Sequence, residues 1–364
     1  MQKIVHLQAL RAIAASLVVA NHSIGYMVRR GRLPEDLEQF SWFVGWIGVA
    51  TFFVISGLIM IRTASDGFGV PGRAGDFACR RIVRVVPLYW LALIPAVIIY
   101  ALRAETPIVD LLKSMFFIPY LDPVGGGMRP VLGQGWTLNY EMMFYAIFAA
   151  CLLLPRKAGL AILLAVFPAI VVAGAFLRPM VPFRDAATVL EFWTDPIILL
   201  FTIGILIGLA EQHVARWHRF SAPIAATLAI FAVLLAVFRW AGVSFPLQLE
   251  WQIIFGLACT AAVILCTSAR ETKATPIGRL LEAAGDASYS TYLFHGFMLV
   301  VFAAVWARLP AVLQEPMTFI LVTVILANIG GYVSYRFLEL PLTRRLKRFC
   351  RSGAQRPAHA GDRA

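Results

Sequence analysis

Long apolar stretches, separated by short polar segments, make up most of the chain. Each stretch is close to the length that a helix rising about 1.5 Å per residue needs to cross a hydrocarbon layer of about 30 Å. The pattern therefore predicts an all-α integral membrane protein with about ten transmembrane helices. They are expected at residues 9–28, 43–61, 85–102, 137–154, 158–177, 196–210, 221–238, 251–268, 289–307 and 317–338.

Polar residues interrupt this pattern in two regions. Residues 108–120 contain Lys113 and are too short and polar to span, so they predict an interfacial or re-entrant segment covered by protein or water. No polar linker divides the remaining chain, which predicts one transmembrane domain over residues 1–340. Residues 341–364 are expected to form a basic cytoplasmic tail that is partly disordered.

The distribution of charge predicts the orientation. The formal net charge is +12, which taken alone is compatible with a nucleic-acid partner. With the N terminus inside, the inner connections hold 21 Lys and Arg residues and the outer connections hold 10. The positive-inside rule then places both termini in the cytoplasm. We therefore expect the basic tail to contact anionic lipid, and we expect no nucleic acid to bind.

Cysteine and histidine spacing gives no sign of a metal site. The chain has five cysteines and six histidines but no CxxC or HxxxH arrangement. The cysteine number is odd, and most cysteines lie in apolar runs or beside basic residues on the inner side. We expect neither a bound metal nor a disulfide framework.

The first predicted helix carries two ionisable residues, Arg11 and His22. They are 11 positions apart, which at about 100° per residue brings both side chains to one helix face, about 16 Å apart along the axis. Such residues are costly inside a membrane and indicate a functional site, although a buried polar pair that fixes helix packing is the alternative. The arrangement suits an elongated ligand that is anionic at its cytoplasmic end and reactive at its buried end.

Three arginines, Arg80, Arg81 and Arg84, occur within five residues near the start of the third predicted helix. Positive charge together with a helix N-terminus can bind phosphate groups. Ordinary positive-inside topology is the alternative explanation for the same cluster.

Further polar residues lie within the predicted helices. Glu141 could orient a buried imidazole or could pair with a buried Arg or Tyr. His295 is a second intramembrane imidazole, with a functional and a structural interpretation equally open. The small residues of segment 45–57 predict close helix packing. Other candidates for a supporting role are Ser56, Trp136, Asn139, Tyr140 and Tyr292.

Six ordered motifs extend over nearly the whole chain. They are Arg11-x10-His22, GV-x-x-FFVISG at 48–57, RR-x-x-R-x-x-PLYW at 80–90, GQGWTLNYE at 133–141, YSTYLFH at 289–295 and FLELP at 337–341. Together they resemble the membrane-bound acyltransferase-3 family, and in particular its members that acetylate bacterial exopolysaccharides. Ala50 departs from the pattern, since many exopolysaccharide-type members carry Asp at that position.

The resemblance implies transfer of an acyl group, most simply acetyl, from cytoplasmic acetyl-CoA to a sugar hydroxyl. The acceptor would be a bacterial exopolysaccharide or a lipid-linked glycan at the inner membrane. The family motif places the catalytic imidazole at His22 and an acyl-CoA contact at Arg11, and the arginine cluster at 80–84 would hold the CoA phosphates. Glu141 is our candidate to orient His22. Acetyl-CoA is the implied co-substrate, and no metal is implied.

The sequence is compatible with two mechanisms of acyl transfer and with one other function. His22 could act as a general base for direct attack on the thioester, or it could itself be acylated in a first half-reaction. A proton-coupled transporter of a small anionic or sugar solute, using Arg11, His22 and Glu141, is the alternative function. It predicts an internal repeat, which the sequence does not show.

Overall fold

The computed structural model describes residues 5–102, 108–122, 126–177, 186–213, 217–240, 250–268 and 275–351. Within these ranges every regular element is a helix and none is a strand, which confirms the all-α prediction. The α-helices are α1 (Val5–Arg29), α2 (Leu37–Ala64), α3 (Arg73–Leu102), α4 (Ile108–Met115), α5 (Trp136–Leu152), α6 (Arg156–Leu177), α7 (Val189–Trp193), α8 (Leu199–His213), α9 (Trp217–Trp240), α10 (Glu250–Ser268), α11 (Pro276–Asp286), α12 (Ser288–Trp306), α13 (Pro316–Ser334) and α14 (Leu340–Leu346).

Every predicted span overlaps one of these helices. Six helical segments of the described chain are long and apolar enough to cross a membrane. They are Leu37–Gly67, Arg73–Ile98, Arg156–Leu177, Val189–His213, Ser288–Trp306 and Pro316–Leu346. The other four predicted spans coincide with α1, α5, α9 and α10. The chain is therefore a multi-pass membrane protein.

Helix α1 lies in the interior of the bundle, in contact with α2, α10, α11, α12 and α13. Neighbours on so many sides bury both apolar and polar side chains of α1, among them Arg11, Val18, Val19 and Ser23. The guanidinium of Arg11 is therefore enclosed by protein, whereas Arg29 at the end of the helix is exposed.

Small residues allow α2 to approach its neighbours closely. A Cβ added to Gly57 would lie 2.1 Å from the carbonyl oxygen of Phe201 on α8, and one added to Gly204 would lie 2.1 Å from a carbonyl oxygen of α2. A Cβ on Gly48 would lie 2.5 Å from a carbonyl oxygen of α1. Segment 45–57 therefore makes the close contacts that its small residues predict.

The short polar segment predicted at residues 108–120 forms α4 and a turn that packs back on α3. The Tyr89 hydroxyl donates to the carbonyl of Ser114 at 3.2 Å, and Trp90 Nε1 donates to the carbonyl of Met115 at 3.0 Å. The hydroxyls of Ser114 and Tyr120 are hydrogen-bonded at 3.0 Å. Protein groups thus cover one side of this non-spanning segment, whereas Ile108, Val109 and Phe116 on its other side are exposed.

One cysteine pair contradicts the expectation from spacing. Cys79 on α3 forms a disulfide with Cys350, in the helical turn Phe349–Arg351 that follows α14. The two residues are 271 positions apart, and they meet because the segment beyond α14 returns to α3. Sequence spacing carries no information about such a tertiary contact. The predicted disorder of the tail concerns residues 352–364, which lie outside the described residues.

Replacing Gly57 by Ala places a methyl group against the Phe201 carbonyl. We expect the purified protein to lose about 1–3 kcal/mol of stability, the usual cost of overpacking. Gly75→Ala is the matched control, because no atom lies within 4 Å of a Cβ at this exposed position of α3. Thermal unfolding in detergent, followed by circular dichroism, should show a loss for Gly57→Ala alone. Equal unfolding temperatures of the two variants would contradict a close contact between α2 and α8 at Gly57.

Candidate active site

Two cavities lie at the two ends of one face of α1. We name them the Arg11 cavity and the His22 cavity after the α1 residue that lines each. Arg11 is buried, with an exposed fraction of 8%, and its Nη1 donates to Gln8 Oε1 at 3.1 Å. His22 is half-buried and lies further along the same face.

The Arg11 cavity has a volume of about 90 Å³. It is enclosed by the first half of α1, the second half of α2, α3, α5 and the start of α12. Its charged lining residues are Arg11, Arg81, Arg84 and Glu141, and Ser56 adds a hydroxyl group. With Tyr292, the structure thus brings together six of the residues that the sequence predicts for the site.

Two of the clustered arginines differ in their surroundings. The Arg81 guanidinium lies over the rings of Phe77 and Tyr145, with its central carbon 5.4 and 5.5 Å from the ring centroids. Arg80 is exposed, forms an ion pair with Asp76 at 3.7 Å and does not line the cavity. The three arginines therefore do not form one uniform phosphate site.

Glu141 is not beside His22. Its carboxylate accepts a hydrogen bond from the Tyr145 hydroxyl and lines the Arg11 cavity. The Nδ1 of His22 is instead bonded to the carbonyl oxygen of Val18 at 2.8 Å, and His22 lines the other cavity. Glu141 and His22 therefore do not contact each other, and the prediction that Glu141 orients His22 is wrong.

The His22 cavity has a volume of about 470 Å³, within the usual range for small-molecule sites. The second half of α1, the first half of α2 and residues 129–136 enclose it. Three indole rings, those of Trp42, Trp46 and Trp136, line it together with the Gln134 amide. Its composition of aromatic rings and a few polar groups is typical of a site for a polar organic ligand.

Hydrogen bonding determines which nitrogen of each imidazole is free. A carbonyl oxygen only accepts, so the bond to Val18 assigns the hydrogen of neutral His22 to Nδ1 and leaves a lone pair on Nε2. His295 has the same arrangement, with Nδ1 at 2.7 Å from the carbonyl oxygen of Tyr292. Its ring centroid lies 4.8 Å from that of His22. Its Nε2 is buried and has no hydrogen-bond partner among the described residues.

Tyr292 and Val49 line both cavities, so these two side chains form part of the wall between the two spaces. The Tyr292 hydroxyl is held by the carbonyl of Gln134 and by the hydroxyl of Thr137, each at 2.6 Å. Its ring contacts Phe52 edge-on, with centroids 6.3 Å apart. These contacts fix the wall between the cavities.

Two other residues selected from the sequence lie away from both cavities. Tyr140 donates to the carbonyl of Phe192 and stacks on its ring at 4.3 Å, so it joins α5 to α7. Asn139 is buried, and neither atom of its amide group is hydrogen-bonded within the described part of the chain. Of the motif at 133–141, Gly133, Gln134 and Trp136 line the His22 cavity.

Comparison with known proteins identifies the family. The model for the acyltransferase domain family matches residues 4–336. The chain belongs to this family. The resemblance inferred from the six motifs is thereby confirmed, and acyl transfer rather than solute transport is the activity that the family describes.

Three other proteins illustrate what this acyltransferase is similar to. The exopolysaccharide production protein ExoZ of Rhizobium meliloti is 36% identical over 309 residues, which cover 83% of this chain and 90% of that protein. BcsY of Komagataeibacter xylinus is 27% identical over 318 residues, or 81% of this chain and 72% of that protein. The O-acetyltransferase OatA of Staphylococcus aureus is 23% identical over 329 residues, which cover 83% of this chain and 53% of that protein. No solved structure matches the acyltransferase.

One carboxylate near the Arg11 cavity was not selected from the sequence. Glu339 is buried, accepts a hydrogen bond from the Ser290 hydroxyl at 2.7 Å and attracts the charges of Arg11 and Arg84. It ends a five-residue π-helix, Tyr335–Glu339, an irregularity frequent at functional sites. Glu141 is predicted because it is a carboxylate within a predicted helix, whereas Glu339 lies one residue beyond the predicted span 317–338.

Proposed function

We propose that this acyltransferase moves an acyl group, most simply acetyl, from acyl-CoA to a hydroxyl group of a carbohydrate acceptor. The acceptor is a polysaccharide or a lipid-linked glycan. The observation that carries the proposal is the meeting of two cavities at Tyr292, one rich in arginine and one containing a free imidazole nitrogen. The name of ExoZ, an exopolysaccharide production protein, and that of OatA, an O-acetyltransferase, support the acceptor class.

Acyl-CoA is the proposed donor because it combines anionic phosphates with a long, thin arm. Arg11, Arg81 and Arg84 supply guanidinium groups, which bind phosphate oxygens well. A cavity of about 90 Å³ is too small for the whole molecule. We therefore place the acyl-bearing end of the arm inside the cavity and the nucleotide outside it, beside the exposed Arg80.

Glu141 has a positioning role in this proposal. It lines the donor cavity and binds the hydroxyl of Tyr145, whose ring lies under the Arg81 guanidinium. This chain of contacts holds Arg81 at the cavity wall. The carboxylate therefore acts on donor binding, and His22 is oriented by the Val18 carbonyl.

The proposed reaction is a direct transfer. Nε2 of His22 takes the proton of the acceptor hydroxyl while the hydroxyl oxygen attacks the thioester carbonyl carbon. The carbon–sulfur bond breaks, the ester forms, and protonated His22 returns the proton to the CoA thiolate. Because donor and acceptor enter different cavities, both can be bound at once, which favours this route over an acylated His22.

His295 supports the protonated state of His22 in this scheme. Its ring packs against that of His22, and its Nε2 keeps an unused lone pair in a buried position. When His22 gains a proton, a neighbouring lone pair stabilises the positive charge, whereas an apolar neighbour would not. Ser56, Trp136 and Tyr292 contribute to the cavity walls.

The proposed location is the bacterial inner membrane, with the Arg11 cavity facing the cytoplasm, where acyl-CoA is made. The cavity is built from the first halves of α1 and α3 and the second half of α2. These ends lie on the side that the sequence analysis predicts to be inner, because the excess of Lys and Arg is there. Anionic lipid is the proposed partner of the basic segment after α13.

Replacing His22 by Ala tests the proposed function. We expect transfer from radiolabelled acetyl-CoA to polysaccharide isolated from a gene-deletion strain to fall at least about 100-fold, because a general base contributes that much. His213→Ala is the control, since His213 is exposed at the end of α8. Wild-type transfer by the folded His22→Ala protein would contradict the proposal. A transporter would neither transfer the label nor hydrolyse acetyl-CoA.

Replacing Arg84 by Gln tests the donor cavity. Loss of one charge-assisted hydrogen bond should raise the KM for acetyl-CoA by about tenfold and change kcat little. Arg73→Gln removes an exposed charge from the start of the same helix and should leave KM unchanged. Equal effects of the two substitutions would show that only the general positive charge of this face matters.

Replacing His295 tests its proposed support of His22. Asn keeps a donor for the Tyr292 carbonyl but removes the acceptor at the Nε2 position, whereas Gln restores an oxygen near that position. We expect His295→Asn to lower kcat by about tenfold at unchanged KM for acetyl-CoA, and His295→Gln to recover part of that loss. Equal kcat in both variants, at wild-type stability, would contradict the role.

A further inference from the structure

The His22 cavity carries more positive than negative charge at the end away from the Arg11 cavity. Arg29 at the end of α1 and Arg129 in the segment before α5 line it, and Glu38 is its charged residue of opposite sign. All three side chains are exposed enough to meet water. Within the described part of the chain, neither guanidinium is in an ion pair or donates a hydrogen bond to a protein group.

The register of α1 directs Arg29 toward His22. Val18, His22, Gly25 and Arg29 follow one another at intervals of three or four residues, so they lie on one helix face, and all four line the cavity. The Arg29 side chain leans back along the helix, and its Nη1 lies 3.1 Å from the point that a Cβ on Gly25 would occupy. The glycine thus leaves room for the guanidinium beside the cavity.

Between Arg29 and the imidazole, the cavity offers surfaces for a sugar. The rings of Trp42, Trp46 and Trp136 line it. Trp46 is buried, and its indole Nε1 has no hydrogen-bond acceptor among the described residues. A buried N–H without an acceptor is costly in the absence of ligand, so it indicates a place where a ligand oxygen binds.

We propose that the His22 cavity binds an anionic acceptor, a sugar whose negatively charged group is held by Arg29 and Arg129 while its hydroxyl group lies at His22. This inference rests on the proposed function and adds to it the charge class of the acceptor. The face of α1 then has a guanidinium at each end, Arg11 for the donor anion and Arg29 for the acceptor anion, with His22 between them. The 18 positions from Arg11 to Arg29 correspond to five full turns.

The chemistry of the side chains supports an anion more than a neutral sugar. Arginine binds carboxylate and phosphate oxygens through two parallel hydrogen bonds, and Arg29 and Arg129 outnumber the Glu38 carboxylate. A neutral sugar would be recognised through hydroxyl and amide groups and would gain nothing from a second guanidinium. The same chemistry fits the carboxylate of an acidic sugar and the diphosphate of a lipid-linked sugar.

Three synthetic acceptors that share the 2-, 3- and 4-hydroxyls of a glucose ring distinguish these sources. Octyl glucoside is neutral, octyl glucuronide adds a carboxylate, and farnesyl-diphosphate glucose adds a diphosphate. Binding of each to the full-length protein in detergent is measured by microscale thermophoresis, in parallel with acetyl transfer from acetyl-CoA. Binding is measured in the His22→Ala variant as well, so that it is scored independently of the chemical step.

We expect at least one anionic probe to bind about tenfold more tightly than octyl glucoside, and the preference to shrink as salt is raised. Arg29→Gln and Arg129→Gln should each remove most of that preference without changing the KM for acetyl-CoA. Arg30→Gln is the matched control, because Arg30 is exposed next to Arg29, lies over the Tyr26 ring and does not line the cavity. It should leave the preference intact.

The outcomes separate this inference from the proposed function. Tighter binding of the glucuronide alone identifies an acidic sugar, and tighter binding of the diphosphate alone identifies a lipid-linked one. Equal binding of all three probes, or a preference that survives Arg29→Gln combined with Arg129→Gln, would overturn the inference while acetyl transfer could still depend on His22. If the His22→Ala variant instead transferred acetyl groups as well as the wild type with every acceptor, the proposed function would be overturned.

Discussion

The burial of the Arg11 guanidinium within a membrane helix bundle is the constraint on which the rest of the site depends. A charged arginine at the centre of a membrane helix costs about 2.5–3.5 kcal/mol on insertion scales. Carboxylates of Glu339, Asp286 and Glu141 attract the Arg11 charge and offset part of this cost, whereas Arg84 repels it. The lining of the Arg11 cavity itself carries three guanidinium groups and one carboxylate, which favours an anionic ligand in that space.

Keeping this arrangement in place requires α1 to be enclosed, and the enclosure depends on small residues. Gly48 lets α2 approach α1, while Gly57 and Gly204 let α8 support α2 from the other side. Where α2 and α8 end, Arg62 and Glu211 form an ion pair, with Nε and Oε2 2.6 Å apart. Close backbone contact is the main source of helix association in lipid, where apolar side chains gain little by leaving their surroundings.

The sequence was informative where one helix or one physical rule was enough. Apolar length located the helices, and the 11-residue interval placed Arg11 and His22 on one face, because helix geometry alone determines both. The 48–57 motif predicted close packing because small residues let two helices approach, and the structure has these close contacts.

One error concerns side chains that bind a neighbour on their own helix rather than each other. Glu141 binds Tyr145 and His22 binds the Val18 carbonyl, each four residues away on the same helix, so the two residues do not pair. The disulfide of Cys79 depends on where the chain returns after 271 positions. The contact of His295 with His22 likewise arises from the packing of α12 beside α1, which no spacing within one helix reveals.

The side chains of Tyr292 and Val49, which lie between the two cavities, limit the passage of water and protons from one to the other. A continuous water-filled space would let a general base activate water against the thioester, and it would open a path for protons across the membrane. Two hydrogen bonds, with the Gln134 carbonyl and the Thr137 hydroxyl, hold the Tyr292 hydroxyl, so the ring stays in place between the two spaces. In the proposed reaction this wall keeps the two substrates in separate cavities except where the thioester and the acceptor hydroxyl approach His22.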